Sequence, residues 1–270
     1  MTGAGESPTL VLTIFFARSP RFSMLLVYIR STLFFIWFAL ASVVIAVGGV
    51  WVLLLPRRAT EILSKTWSRA VLFGLKWIAG LDYEVRGTVP RGAVLIAAKH
   101  MSMWDTVVLY LLLDDAAAVV KRSLLNVPFY GWYLWKAGVI AIDRDGKASA
   151  LKQMVAEAKA IVAEQRPIFI FPEGTRKEPG AAPDYKPGVA ALYTQIGVSC
   201  VPVALNSGLF WTGPMGFLKK PGKVVVEFLP SIPSGLKRAE FMETLQNRIE
   251  SATAKLLVEG RQILASKGLS

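Results

Sequence analysis

Apolar and polar positions divide the chain into two textures. Between Arg30 and Arg57 no residue is charged, and STLFFIWFALASVVIAVGGVWVLLLP, taken as a helix, reaches roughly 39 Å at ~1.5 Å per residue. That exceeds the ~30 Å hydrocarbon core of a bilayer. The run is too long for the apolar part of a cleaved signal peptide, and no A-x-A-like site follows it. Gly48-Gly49 offer a bend, so two geometries stay open: a segment that dips into one leaflet and returns, and a tilted single span. Arg18, Arg21 and Arg30 precede the run and Arg57, Arg58, Lys65 and Arg69 follow it. A single span therefore gets conflicting votes from its basic flanks, whereas a returning segment keeps both on one side. Upstream, TLVLTIFFA is broken by RSPR and reads as a flexible leader, with Met24 a second candidate start. Downstream, ATEILSKTWSRAVLFGLKWIAG stacks Glu61, Lys65 and Arg69 at i, i+4, i+8 on one helical face. Leu63, Trp67, Ala70 and Ile78 form its other side, suited either to lying on a bilayer with Trp67 and Trp77 as anchors or to ordinary core packing.

From Leu81 onward the pattern changes to short β-branched runs separated by helical ones. DYEVRG, AVLIAA, AAAVVK, GVIAID, PIFIFP, SCVPVAL and KVVVEFL are strand-like, several of them continuous apolar runs bounded by Gly, Pro or charge. KASALKQMVAEAKAIVAEQ sets Leu151, Met154, Val155, Ala158, Ile161 and Val162 on one helical face, and a long amphipathic helix is expected from Arg238 to Arg261. This alternation predicts an α/β fold: a mixed, largely parallel sheet flanked by helices, behind an N-terminal membrane-embedded helical segment. The expected organisation is residues 1–80 as membrane-anchoring helices and residues 81–270 as one α/β domain.

Composition sharpens this picture. Lys and Arg total 31 against 19 Asp and Glu, a net charge of +12 in 270 residues, which points to an anionic partner. The mean hydropathy of +0.45 decides which. Nucleic-acid binders are basic but seldom greasy, so anionic membrane lipids are expected and nucleic acid is not. The single cysteine, Cys200, excludes an internal disulfide and any cysteine-rich metal site, and fits a reducing compartment.

His100 is the only histidine, and Asp105 stands five positions on. Five residues turn a helix through about 500°, leaving the two side chains roughly 140° apart, and an odd separation puts them on opposite faces of a strand. They can meet only if His100 ends the strand VLIAAK and Asp105 starts the helix WDTVVLYLLL, with Ser102 near the cap. That is where α/β proteins present reactive groups. Asp105 would then fix the imidazole tautomer and leave the other ring nitrogen as a base. The plainer alternative is a lone histidine satisfying a loop carbonyl. Other strand ends carry charge too: Glu173 and Arg176 in IFIFPEGTRK, Asp143 and Arg144 in GVIAIDRDG, Lys121 and Arg122 in AVVKRSLLNVPFYGW. Converging near a His–Asp pair, they would form a pocket for an anionic substrate whose hydroxyl must lose its proton.

At this point the sequence resembles a family. HMSMWD fits the H-x-x-x-x-D block of the glycerolipid acyltransferases, and FPEGTR fits their second diagnostic block. GVIAIDR looks like the block between them and VPVALNSG like a later one, so four blocks recur in order across roughly residues 83 to 230. The match is closest to 1-acylglycerol-3-phosphate acyltransferases. One departure is Lys177, where many relatives have Ser.

The resemblance implies transfer of a fatty acyl chain from acyl-CoA or acyl carrier protein to the sn-2 hydroxyl of lysophosphatidic acid, giving phosphatidic acid, with no cofactor beyond that co-substrate and no metal. It implies His100 and Asp105 as the catalytic pair and a binding set of Arg144, Glu173, Gly174, Thr175, Arg176 and Lys121. Arg144 and Arg176 would take the phosphate, Lys121 would add a further contact, and Glu173 would hold a glycerol oxygen or order the basic residues. Gly174 is also explained by a turn that needs positive φ. Lys186 and Gly188 in YKPGVAALY resemble another family segment. NSGLFWTGPMGFLKKPGK forms either a rim touching membrane or acyl chain, or a loop folded on the domain. An enzyme held at a cell membrane with its catalytic domain facing the cytoplasm meets its lipid without extracting a chain into water, at ~0.8 kcal/mol per CH₂. A tail groove is expected from His100 toward the N-terminal helices. Rival readings are a related acceptor such as glycerol-3-phosphate, a metal-dependent hydrolase, and a non-catalytic adaptor.

Overall fold

The computed structural model describes residues 20–143, 147–212 and 216–269. The leader before Pro20, Arg144 and Met215 lie outside them. Seven strands form where the apolar runs predict them: β1 Leu81–Arg86, β2 Leu95–Ala98, β3 Ala117–Lys121, β4 Ile140–Ile142, β5 Ile168–Ile170, β6 Cys200–Leu205 and β7 Gly222–Phe228. They make one sheet in the order β1-β7-β6-β2-β5-β3-β4. β7 runs antiparallel to β6 and carries β1 parallel to itself, while every other neighbouring pair is parallel.

The period of two along each strand divides the core into two layers. Ile96, Ala98, Phe169 and Val203 face the layer of α1 (Pro20–Gly48), α2 (Arg57–Gly74) and α3 (Met103–Leu112). Leu95, Ala97, Ile168 and Ile170 face α5 (Lys147–Ala163), α6 (Gly188–Ile196) and the first half of α7 (Arg238–Ser266). A short α4 (Tyr130–Ala137) lies between β3 and β4. β2 and β5 are adjacent and parallel, yet the helix after β2 packs on one face of the sheet and the helix after β5 on the other. Helices that part in this way leave a crevice at the strands' carboxyl ends.

The N-terminal segment doubles back. α1 ends at Gly48, a short 3₁₀ turn spans Val50–Leu54, and α2 packs against α1. Trp37 Nε1 donates to the Ala70 carbonyl at 2.9 Å and Trp67 Nε1 to Ser42 Oγ at 2.9 Å, so the two helices run antiparallel. Trp67 thus packs between helices, whereas Trp77 is exposed. α1 buries only a narrow stripe, with Val27 and Phe34 at its centre, and exposes Leu33, Ile36, Leu40, Val43, Val44 and Val47. Residues Met24–Gly48 are long and apolar enough to cross a membrane.

α7 runs past the expected Arg261 to Ser266. Pro is absent from it and Gly260 is accommodated within it, buried against the domain; the helix stops before Gly268, where φ is 68°. There Leu269 N–H bonds back to the Leu264 carbonyl and Gly268 N–H to that of Ala265, both at 2.9 Å. With Leu264 and Leu269 both buried, this is a Schellman stop closed by its apolar contact.

Candidate active site

Local sequence brings His100 and Asp105 together. Ser102 is the N-cap of α3, its side chain accepting from Trp104 N–H at 3.2 Å, and Asp105 at the third helical position reaches back to the cap as a capping box. The same carboxylate orients the imidazole. Asp105 Oδ2 accepts from Met101 N–H at 2.6 Å and Ser102 N–H at 2.9 Å, and lies 3.0 Å from His100 Nδ1. Its other oxygen accepts from the Ser207 hydroxyl, which in turn accepts from Ser102 Oγ at 2.8 Å. Asp105 is fully buried, and its two carboxylate oxygens are taken up by these donors. The network assigns the proton to Nδ1 and leaves Nε2 as the basic nitrogen. Phe171 stacks on the imidazole at 3.8 Å and 11°, closing one face.

The turn after β5 is clamped to this one. Lys177 N–H donates to the His100 carbonyl at 2.9 Å, and Lys186 N–H to that of Pro172 at 2.8 Å. Gly174 sits at φ 67°, which a side chain rarely tolerates. Glu173 does not extend freely into the cavity. One oxygen accepts from Lys99 Nζ at 2.9 Å and the other lies 3.5 Å from His100 N–H. Lys99 also donates to Glu250 of α7 at 2.8 Å, and Tyr185 Oη donates to the same Glu250 oxygen at 2.9 Å. Burial raises the pKa of Glu173, while the Lys99 ammonium pulls it back down. These contacts tie Glu173 through Lys99 to Glu250 of α7.

His100, Glu173, Gly174, Thr175, Arg176 and Lys121 line one cavity of about 1170 Å³. Beyond them its walls are apolar and aromatic, from Phe38 and Ala46 of α1, Trp67 of α2, Tyr110 of α3 and Tyr133 of α4. The expected groove toward the N-terminal helices is present. Lys186 lines the cavity as well and pairs with Asp184 at 2.7 Å. Cys200 is buried under α6 and α7, away from these walls, and burial pushes its thiol pKa up. In the segment from Asn206 to Lys223, Phe210 and Trp211 are buried, so that part folds onto the domain, while Phe217 stays exposed. Among the described residues no group of three or more His, Cys, Asp or Glu side chains could hold a metal ion.

Sequence reasoning missed Lys99, Ser207, Glu250 and the stacking Phe171. Lys99 left a faint signal, a cation at the end of a fully apolar strand. Ser207 lies in the VPVALNSG block, but nothing there pointed to Asp105, 102 residues away, and Glu250, 151 residues from Lys99, left no signal.

An acyltransferase family model matches residues 82–206. A 1-acyl-sn-glycerol-3-phosphate acyltransferase of Pseudomonas aeruginosa is 31% identical over 235 residues, covering 86% of this chain and 91% of that one. The human alpha enzyme of the same name is 28% identical over 185 residues, and the match covers 67% of this chain and 65% of that one. A crystal structure of a 1-acyl-sn-glycerophosphate acyltransferase from Thermotoga maritima shares the fold, with a TM-score of 0.70 at 18% identity over 84% of this chain and 96% of that one. With near-complete coverage of the Pseudomonas relative at that identity, the chain belongs to the 1-acyl-sn-glycerol-3-phosphate acyltransferase family.

Proposed function

We propose that this protein is a membrane-bound 1-acylglycerol-3-phosphate O-acyltransferase, moving a fatty acyl group from acyl-CoA or acyl carrier protein to the sn-2 hydroxyl of lysophosphatidic acid. The observation that carries this reading is the His100–Asp105 pair, 3.0 Å apart, beside a cavity lined by Lys121 and Arg176 and otherwise largely by apolar and aromatic side chains. His100 Nε2 takes the proton of the glycerol hydroxyl as its oxygen attacks the thioester carbonyl, and Asp105 stabilises the imidazolium. When the tetrahedral intermediate collapses, the C–S bond breaks and the imidazolium returns its proton to the departing thiolate. No acyl-enzyme forms.

Arg176, Lys121 and Arg144 bind the acceptor's phosphate; a guanidinium fork meets phosphate oxygens in pairs. Gly174 and Thr175 shape the turn that presents Arg176, and Glu173 holds that turn through Lys99. The exposed apolar side of α1 enters one leaflet, and the cationic flanks keep the catalytic part on the cytoplasmic side of the cell membrane. The test gives purified protein labelled acyl-CoA, acyl carrier protein and a panel of lysolipids, with products identified by mass. Phosphatidic acid is the expected product, and His100→Ala should lose about 10²–10⁴ in rate. Indifference to the phosphate, or an undiminished His100→Ala protein, overturns the reading.

A further inference from the structure

The outer face of α4 has no part in this chemistry, yet it is built for a partner. Trp132 and Trp135, 47% and 73% exposed, stand at i and i+3 on one side of the helix, while Gly131 and Leu134 are buried on the other. The helix is held tightly in that orientation. A Cβ on Gly131 would lie 2.1 Å from the Leu125 carbonyl, so only glycine fits. Tyr133 Oη donates to the Ala46 carbonyl at 2.5 Å, fixing α4 beside the end of α1, where Val47, Trp51 and the 89% exposed Leu54 continue the apolar surface. From Ala116 to Ile142 the sequence holds Lys121, Arg122 and Lys136 and no Asp or Glu.

We propose that α4 is a second foothold on an anionic phospholipid bilayer, with Trp132 and Trp135 in the headgroup layer and Arg122 and Lys136 against lipid phosphates. Three features select lipid over a protein partner. Indole combines an apolar body with a polar N–H and settles at the membrane–water boundary. The unopposed cations favour an anionic surface, each contributing about 1 kcal/mol there. The patch also continues the apolar surface of α1. Phe129 and Tyr130, at the start of α4, line the same cavity as Lys121, so this docking brings the cavity to the leaflet that supplies the acceptor. The proposal rests on the membrane-bound reading above and adds the surface that sets orientation.

Cys200 is fully buried and is the only cysteine, so Trp135→Cys can be labelled selectively with an environment-sensitive fluorophore. On phosphatidylglycerol vesicles the label should shift to the blue and be quenched by brominated lipid chains. Trp132→Ser/Trp135→Ser should partition into those vesicles more weakly, on the order of tenfold, with unchanged acyl transfer to lysolipid in detergent micelles. A label that stays in water on vesicle-bound protein overturns the proposal and leaves α4 facing solvent or another protein. Equal partition of parent and double variant overturns it too. Both failures leave the acyl-transfer reading standing, because that reading falls only with the His100→Ala and acceptor results.

Discussion

At the scale of single residues, one carboxylate caps a helix and orients an imidazole. The spacing of His100 and Asp105 made that pairing legible, since no regular element lets them touch and only a strand-to-helix junction does. The supports of the pair were illegible for the opposite reason: Lys99 reaches Glu173 and Glu250 across 74 and 151 residues. These contacts define an expected outcome. Lys99→Met strands Glu173 as a buried unpaired acid and should cost about 3–5 kcal/mol of stability, with kcat falling as the turn loosens. Lys99→Met/Glu173→Gln removes both charges and should regain part of both. Thermal unfolding and initial rates of the two proteins check this; a double variant no better than the single would mean that Glu173 serves the acceptor directly.

At the scale of elements, the strands and the α5 helix followed their apolar periodicity, because burial on one or both faces dictates that pattern. The length of α7 and the packing of Trp67 did not, since both depend on which neighbour covers a face. The segment before β7 shows the same dependence. Lys219 Nζ, buried, donates to the carbonyls of Gly216 and Phe217 at 3.0 Å and lies 4.6 Å from the Trp211 ring and 5.3 Å from that of Phe34 in α1. The aromatic faces and carbonyls favour the ammonium, but desolvation is the stronger effect and pushes the pKa from 10.5 down to about 8. Between those values the unfolded chain binds the proton and the folded one does not, so this group makes stability rise with pH there. Chemical denaturation of the parent and Lys219→Met across pH 8 to 10.5 should give a difference that grows with pH. A flat difference would show that the aromatic cage holds the charge after all.

At the scale of the whole molecule, α1, α2, α3 and α4 all contribute walls to one cavity. The apolar N-terminal run and the four blocks were readable one by one, but the enclosure of a shared space by that run and the first three blocks arises only when the sheet order brings β2 and β5 side by side. Chain-length choice belongs to this scale. Ala46→Trp should block the cavity below His100, and excluding two methylenes at about 0.8 kcal/mol each lowers kcat/KM for the longest donors roughly fifteenfold. Short donors should turn over as before, which competition between donors of graded length measures. Because Phe38 and Ala46 sit on α1, the segment proposed as the anchor would also gauge the proposed acyl cargo. A bilayer that thickens or stiffens around α1 would press on that gauge, so the lipids already made would bias the tails of the next ones.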